Sequence, residues 1–123
     1  SGDAVIGPGG LLGIVQSVTP TTSRVRLLTA PGSRVGVWTS RNNRHGILIG
    51  MGTNRPFLRF LDKDPKALPG DVVSTSPAST LMPPNVLVGV IQSIDEQALP
   101  SPKAIVQLGA SPEAIDWVQV QVR

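Results

Sequence analysis

Glycine and proline punctuate this chain so often that long helices do not fit between them. Thirteen Gly and twelve Pro make up about a fifth of its 123 residues. Each loosens or locks the backbone in a way that interrupts a regular helix. A chain of this kind folds as short segments joined by turns, which predicts β structure. Apolar or alternating runs recur between the turn signals. They are Leu11 to Val18, Arg24 to Thr29, Arg34 to Thr39, Gly46 to Met51, Phe57 to Leu61, Asp71 to Thr75, Val86 to Ile94, Ala104 to Leu108 and Trp117 to Val122. In the last run Val118, Val120 and Val122 alternate with Gln119, Gln121 and Arg123, as a strand wet on one face does. Pro31-Gly32 suits the centre of a type II turn, and Arg41-Asn42-Asn43-Arg44 reads as a polar turn. The one helical turn expected is at Ser111–Ile115, with Ser as cap and Pro first inside. Nine short strands predict an all-β barrel or sandwich.

The chain also repeats itself. Gly13-Ile14-Val15-Gln16-Ser17-Val18 and Gly89-Val90-Ile91-Gln92-Ser93-Ile94 share one pattern, 76 residues apart. Upstream, Gly2-Asp3-Ala4-Val5-Ile6 echoes Gly70-Asp71-Val72-Val73-Ser74 at an offset of 68. Downstream, Leu28 and Ala30 match Leu108 and Ala110 at an offset of 80. Offsets that grow along the chain are what loop insertions produce, so a duplicated unit is expected. Its second copy is preceded by three strands that can pair with it, and its first copy is preceded by none. In the first copy Leu12, Ile14 and Val18 share a face by alternation. Exposing it would forfeit about 1.5–3 kcal/mol per side chain, against a domain stability of only about 5–15 kcal/mol. The second unit, a neighbouring chain or a preceding segment must cover that face, and the chain is expected to begin within a domain.

Charge is lopsided. Arg24, Arg26, Arg34, Arg41, Arg44, Arg55 and Arg59 lie between Ala4 and Leu61 with no acid among them, whereas four basic and seven acidic residues follow from Asp62 onward. The arginines are either solvated strand and turn positions or a surface facing anions, with Arg24, Arg26, Arg34, Arg41 and Arg44 the candidates. Nucleic acid is disfavoured, because single-strand binders need stacking platforms and the aromatics are only Trp38, Phe57, Phe60 and Trp117. With no cysteine and one histidine, disulfides and Cys-based sites are excluded, and no metal site or cofactor is expected. No apolar run approaches the roughly 20 residues of a membrane span.

His45, one of Asp62, Asp64 or Asp71, and then Ser74 or Ser76 occur in the order of a chymotrypsin-like triad. A triad needs a base on the nucleophile and backbone donors for an oxyanion. The serines instead end a β run, and Pro77 after them has no donor. Pro69-Gly70-Asp71-Val72-Val73-Ser74-Thr75-Ser76 therefore reads as structural. Gly70 permits a tight approach, Asp71 accepts backbone hydrogen bonds where the strand begins, and Thr75 and Ser76 tie the strand to its loop. Gly13 and Gly89 are their structural companions in the repeat. Phe57, Leu58, Phe60 and Leu61 are apolar on both faces of one run, as ordinary core on one face or as an interface or exposed edge that meets a partner.

Gly10-Leu11-Leu12-Gly13-Ile14-Val15, Thr22-Ser23-Arg24-Val25-Arg26-Leu27-Leu28-Thr29, Gly70-Asp71-Val72-Val73-Ser74-Thr75-Ser76 and Val88-Gly89-Val90-Ile91 together resemble the extracytoplasmic β region of the MreC family of bacterial rod-shape-determining proteins. The resemblance covers essentially the whole chain. It implies two small barrels of the chymotrypsin-like half-barrel kind. Residues 1–33 would be the C-terminal remnant of the first, and 34–123 a six-stranded second. It also implies a non-enzymatic scaffold of the wall elongation machinery, outside a cytoplasmic membrane to which an N-terminal segment anchors it. Its partners would be a class B penicillin-binding transpeptidase, MreD and other copies of MreC. The alternative is an arginine-rich module for anionic wall polymer or lipid headgroups. Two departures stand out. Pro77 follows the Thr-Ser pair where the family has Gly, and Met82-Pro83-Pro84-Asn85 replaces its Phe-Pro-x-Gly loop. Asn tolerates positive φ, so Asn85 is expected to keep the turn.

Overall fold

A computed structural model describes residues 3–18, 20, 23–78, 83–110 and 119–121. The strands are β1 (Ala4–Gly7), β2 (Gly10–Val18), β3 (Ser23–Leu27), β4 (Arg34–Thr39), β5 (Arg44–Ile49), β6 (Phe57–Phe60), β7 (Val72–Thr75), β8 (Leu87–Asp95), β9 (Lys103–Leu108) and β10 (Gln119–Gln121). Strands β4-β5-β6-β9-β8-β7 close into an antiparallel barrel, and β10-β1-β2-β3 form a four-stranded sheet. Strand β1 is an element that the runs above leave out. The helical turn expected at 111–115 lies outside the described residues.

Turn chemistry places the strands. Gly32 has φ +77°, and the Ser33 amide donates to the Ala30 carbonyl at 3.0 Å, closing the turn between β3 and β4. Asn43, at φ +56°, turns β4 into β5. Both long strands are bulged, and the bulges coincide. Val5 faces Gly13 and Ile6 faces Leu11, skipping Leu12. Val73 faces Gly89 and Ser74 faces Leu87, skipping Val88. Farther on, Gln16 and Gln92 are skipped in the same way. The Val15 amide donates to the Asp3 carbonyl at 2.8 Å, and the Ile91 amide to the Asp71 carbonyl at 2.9 Å. Thus β1-β2-β3 and β7-β8-β9 are one motif built twice. Gly13 pairs with Leu27 and Gly89 with Leu108, so the third strands are offset by 81 residues. The match of Leu28 with Leu108 is one residue out of register.

Glycine serves two purposes here. At Gly13 and Gly89 a Cβ would overlap the carbonyls of Arg26 and Gln107, so these positions need room. Gly70 has φ +94° and nothing within 4 Å of a Cβ. Its role is conformational, which corrects the tight approach expected of it.

The bulges decide which way the apolar side chains face. Val73, Val88 and Ile91 point into the barrel with Val37, Leu48, Leu58, Phe60, Ala104 and Val106, all at most 1 % exposed. Their counterparts Val5, Leu12 and Val15 form a second cluster with Ala110. Ala4, Leu11 and Leu28 join the barrel's own cluster, with Ile6 and Ile14 packed on it. Leu12 and Ile14, expected on one face, are therefore split between clusters, because the extra residue breaks the alternation. The side chain of Val18 lies outside the described residues. The barrel thus covers the Ile14 face.

The last strand also differs from expectation. Residues 119–121 pair with β1, from Ala4 opposite Gln121 to Ile6 opposite Gln119. They join the first sheet on the side where β4 flanks β7 in the barrel. Alternation alone marks a half-wet strand without naming its neighbour.

Thermal melts separate the two glycine roles. Gly70→Ala is expected to cost about 1–2 kcal/mol, the strain of a left-handed alanine. Gly89→Ala should cost about 3 kcal/mol or more, because a paired strand must move.

Candidate functional site

Polar side chains gather where β4, β5 and β7 meet the loops around them. Asp71, just before β7, is 8 % exposed. Its Oδ1 accepts from Arg41 Nε at 2.7 Å, and its Oδ2 accepts from Arg41 Nη2 at 2.9 Å and from the Leu68 amide at 2.9 Å. Arg41 and Asn42 also donate to the carbonyls of Pro65 and Lys66. The β4–β5 turn is thereby clamped to the segment leading into β7. The Arg41 hydrogen bonds hold the Asp71 carboxyl below the usual carboxylate range against the opposing effect of burial, and the Leu68 amide helps.

Thr75, fully buried, donates to the Pro83 carbonyl at 2.7 Å and accepts from the Val86 amide at 2.8 Å. Ser76 Oγ accepts from the Ala78 amide at 3.1 Å and lies 3.0 Å from His45 Nδ1. The His45 ring stacks on Trp38, with centroids 5.5 Å apart. Trp38 Nε1 donates to Asn85 Oδ1 at 3.1 Å, and Asn85 has φ +60°, the conformation its turn needs. These contacts fasten β7 and its following loop to the outside of β4 and β5.

The order His45, Asp, Ser thus brings His45 to Ser76 without assembling a triad. Both oxygens of Asp71 are taken by Arg41, and Asp62 pairs with Arg44 at 2.8 Å. Ser76 is 5 % exposed, and its neighbour Pro77 offers no amide. Among the described residues no group of three or more His, Cys, Asp or Glu side chains could hold a metal ion. A cavity of about 260 Å³ beside residues 63–67 and 94–102 is lined by Lys63, Asp64, Lys66 and Glu96. Its mixed charge favours neither sign of ligand.

The other candidate residues are divided by the fold. Leu58 and Phe60 are 0 % and 1 % exposed in the barrel core, so a partner cannot reach them, and the contact role expected of them is corrected. Nor is β6 an edge, since β5 and β9 flank it. Phe57 is half-buried between Arg59 and Lys103, whose cationic groups lie 5.6 and 5.3 Å from its ring centroid. Leu61 is exposed. Among the arginines, Arg41 and Arg44 are held in ion pairs. Arg24, Arg26 and Arg34 remain exposed, with Arg26 Nη2 on the Pro31 carbonyl at 3.0 Å. Sequence reasoning missed the Arg41–Asp71 clamp, whose partners are 30 residues apart. It also missed the apolar residues Val72, Leu87 and Val90, which β7 and β8 present to solvent.

Residues 1–122 match the family described as rod shape-determining protein MreC, barrel core. The chain is 40 % identical over 82 residues to the cell shape-determining protein MreC of Cereibacter sphaeroides, covering 67 % of this chain and 27 % of that protein. It is 33 % identical over 120 residues to that of Caulobacter vibrioides, covering 97 % of this chain and 33 % of the relative. The chain thus spans about a third or less of the curated relatives. Its fold is similar to the crystal structure of MreC from Pseudomonas aeruginosa, with a TM-score of 0.87 at 25 % identity over 98 % of this chain and 79 % of that one.

Lowering the pH should release the clamp. The folded-state pKa of Asp71 lies below its unfolded value of about 3.9. Its stabilisation is therefore complete above that value and disappears as the pH falls through the folded one. Urea midpoints are expected to drop as the pH falls below about 4, and to drop less in Asp71→Asn.

Proposed function

The chain belongs to the MreC family of rod shape-determining proteins, and from that membership we propose that it forms part of a non-enzymatic scaffold for cell-wall elongation. It acts outside the cytoplasmic membrane, to which an N-terminal segment of the longer protein anchors it. Its partners are a class B penicillin-binding transpeptidase, MreD and further copies of the protein. The mechanism is positioning. A barrel closed on all six strands, with its β7 end pinned by Arg41, Asp71, Thr75 and Ser76, presents a fixed outer surface.

The observation that carries this reading is how the arginines are used. Two of the five candidate anion-facing side chains, Arg41 and Arg44, are spent on Asp71 and Asp62. Apolar side chains such as Leu61, Leu68, Val72 and Leu87 are meanwhile exposed, at 69, 57, 47 and 42 %. The surface suits apolar docking better than capture of a polyanion. Residues 1–33 and 34–123 are read as the two units, although β10, within the second range, pairs with β1 of the first. Among the described residues β3 ends its sheet, whereas its counterpart β9 is paired with β6.

Binding of a purified transpeptidase ectodomain to the full-length protein, followed across ionic strength, tests the scaffold against the polyanion module. Between about 0.1 and 1 M salt the screening length falls from about 10 to about 3 Å. Apolar docking should keep its affinity within a few-fold over that range. No binding at any ionic strength removes the scaffold in this form, and a steep salt-dependent loss favours the arginine-based alternative.

A further inference from the structure

Strand register sorts the outer face of the barrel into rows. In one row Ile49 lies opposite Phe57, and Phe57 opposite Ile105. Two residues along β6, Ile47 lies opposite Arg59, and Arg59 opposite Lys103. All six side chains are half-buried, and both cations lie within 6 Å of the Phe57 ring centroid. Arg34, exposed and opposite Ile49, adds a third positive charge at the end of the first row. Arg59 and Lys103 are like charges directly opposite each other on paired strands, an arrangement that costs stability. The ion pairs among the described residues are those of Arg41 and Arg44, so no carboxylate bridges the two. Asp95, across from Lys103 on β8, is the one acid in the second row, and its Oδ1 accepts from the Gln97 amide at 3.0 Å. Arg59 Nη1 donates to the carbonyls of Leu99 and Ser101 at 3.0 and 2.9 Å. Its charge is thereby fixed in place.

We propose that this outer face of β5, β6 and β9 binds an extended segment of a partner protein that presents a carboxylate two residues from an aliphatic or aromatic side chain. The carboxylate sits between Arg59 and Lys103 and relieves their repulsion, while the apolar side chain lies on the row of Ile49, Phe57 and Ile105. The two rows are about 7 Å apart along the strands. An extended partner presents its every second side chain on one side at that same repeat. A guanidinium already held by two carbonyls loses little freedom when the carboxylate arrives. A bilayer fits this face less well, because half-buried side chains do not project into the acyl boundary as an interfacial anchor must. The inference rests on the scaffold reading and deepens it by giving the chemistry of a docked partner segment.

Fluorescence anisotropy with two labelled peptides tests this at about 0.15 M salt. One carries Leu, Glu and Phe at alternate positions between serines, and its twin has Gln in place of Glu. The Glu peptide should bind the chain at least tenfold more tightly than its twin. Lys103→Gln and Ile49→Thr should each weaken it at least fivefold, while circular dichroism melts show both variants folded. Arg24→Gln, on exposed β3, should change it less than twofold. Should a variant unfold, Lys103→Met or Ile47→Thr serves in its place. Equal affinity for the twins, no binding of the Glu peptide up to about 1 mM, or an Arg24→Gln loss as large as that of Lys103→Gln overturns the proposal. Binding to phosphatidylglycerol vesicles that Lys103→Gln abolishes, with peptide binding untouched, assigns the face to lipid and overturns it too. Transpeptidase binding that persists while the Glu peptide fails would leave the scaffold reading standing, and the converse result would fault that reading alone.

Discussion

Two extra residues in each long strand govern this molecule. Without the bulges at Leu12 and Val88, strict alternation would put Leu12 and Ile14 on one face and Val88 and Val90 on another. With them, the motif becomes two-sided: Val73, Val88 and Ile91 fill the barrel while Val72, Leu87 and Val90 look outward. A bulge also bends and twists the strand that carries it. That bending helps a six-stranded sheet this small to close on itself. Gly13 and Gly89 sit one residue past the bulges and let the neighbouring strand approach closely.

The polar contacts have a narrower task. The clamp of Arg41 on Asp71, the two hydrogen bonds of Thr75 Oγ1 and the tie between Ser76 and His45 all act where β7 starts or ends. Strand β7 has only four residues and must bridge β4 and β8 to close the barrel. So short a strand contributes few ladder bonds, and its ends would fray without side chains to hold them. Residue types that catalyse elsewhere serve here as fasteners. Both oxygens of Asp71 are engaged by Arg41 and none of its hydrogen bonds reaches His45, and this distinguishes His45 and Ser76 from the base and nucleophile of a triad.

Much of the fold could be read from local signals. Nine of the described strands fall on apolar or alternating runs between turn residues, and the Pro31-Gly32 and Asn43 turns appear where their chemistry places them. Strand β1 escaped because Ala4–Gly7 is only four residues long and ends in glycine. The duplication was legible too, although the third strand was aligned one residue off through Leu28, which structurally follows Leu27 out of β3 into the turn. Less of the site was legible. Gly70 needs its left-handed backbone and not proximity, and Leu58 and Phe60 are core. Nothing in the order of residues pairs Arg41 with Asp71 across 30 positions.

The amino-acid order by itself determined the β class, the approximate strands, the repeated motif and the family, because propensity, turn chemistry and pattern are properties of neighbouring residues. Tertiary structure decided which face each side chain takes, which strand lies beside β10, and which arginines stay free. Those outcomes depend on register and on contacts between distant segments. A single inserted residue inverts a strand's faces without changing the character of the sequence around it.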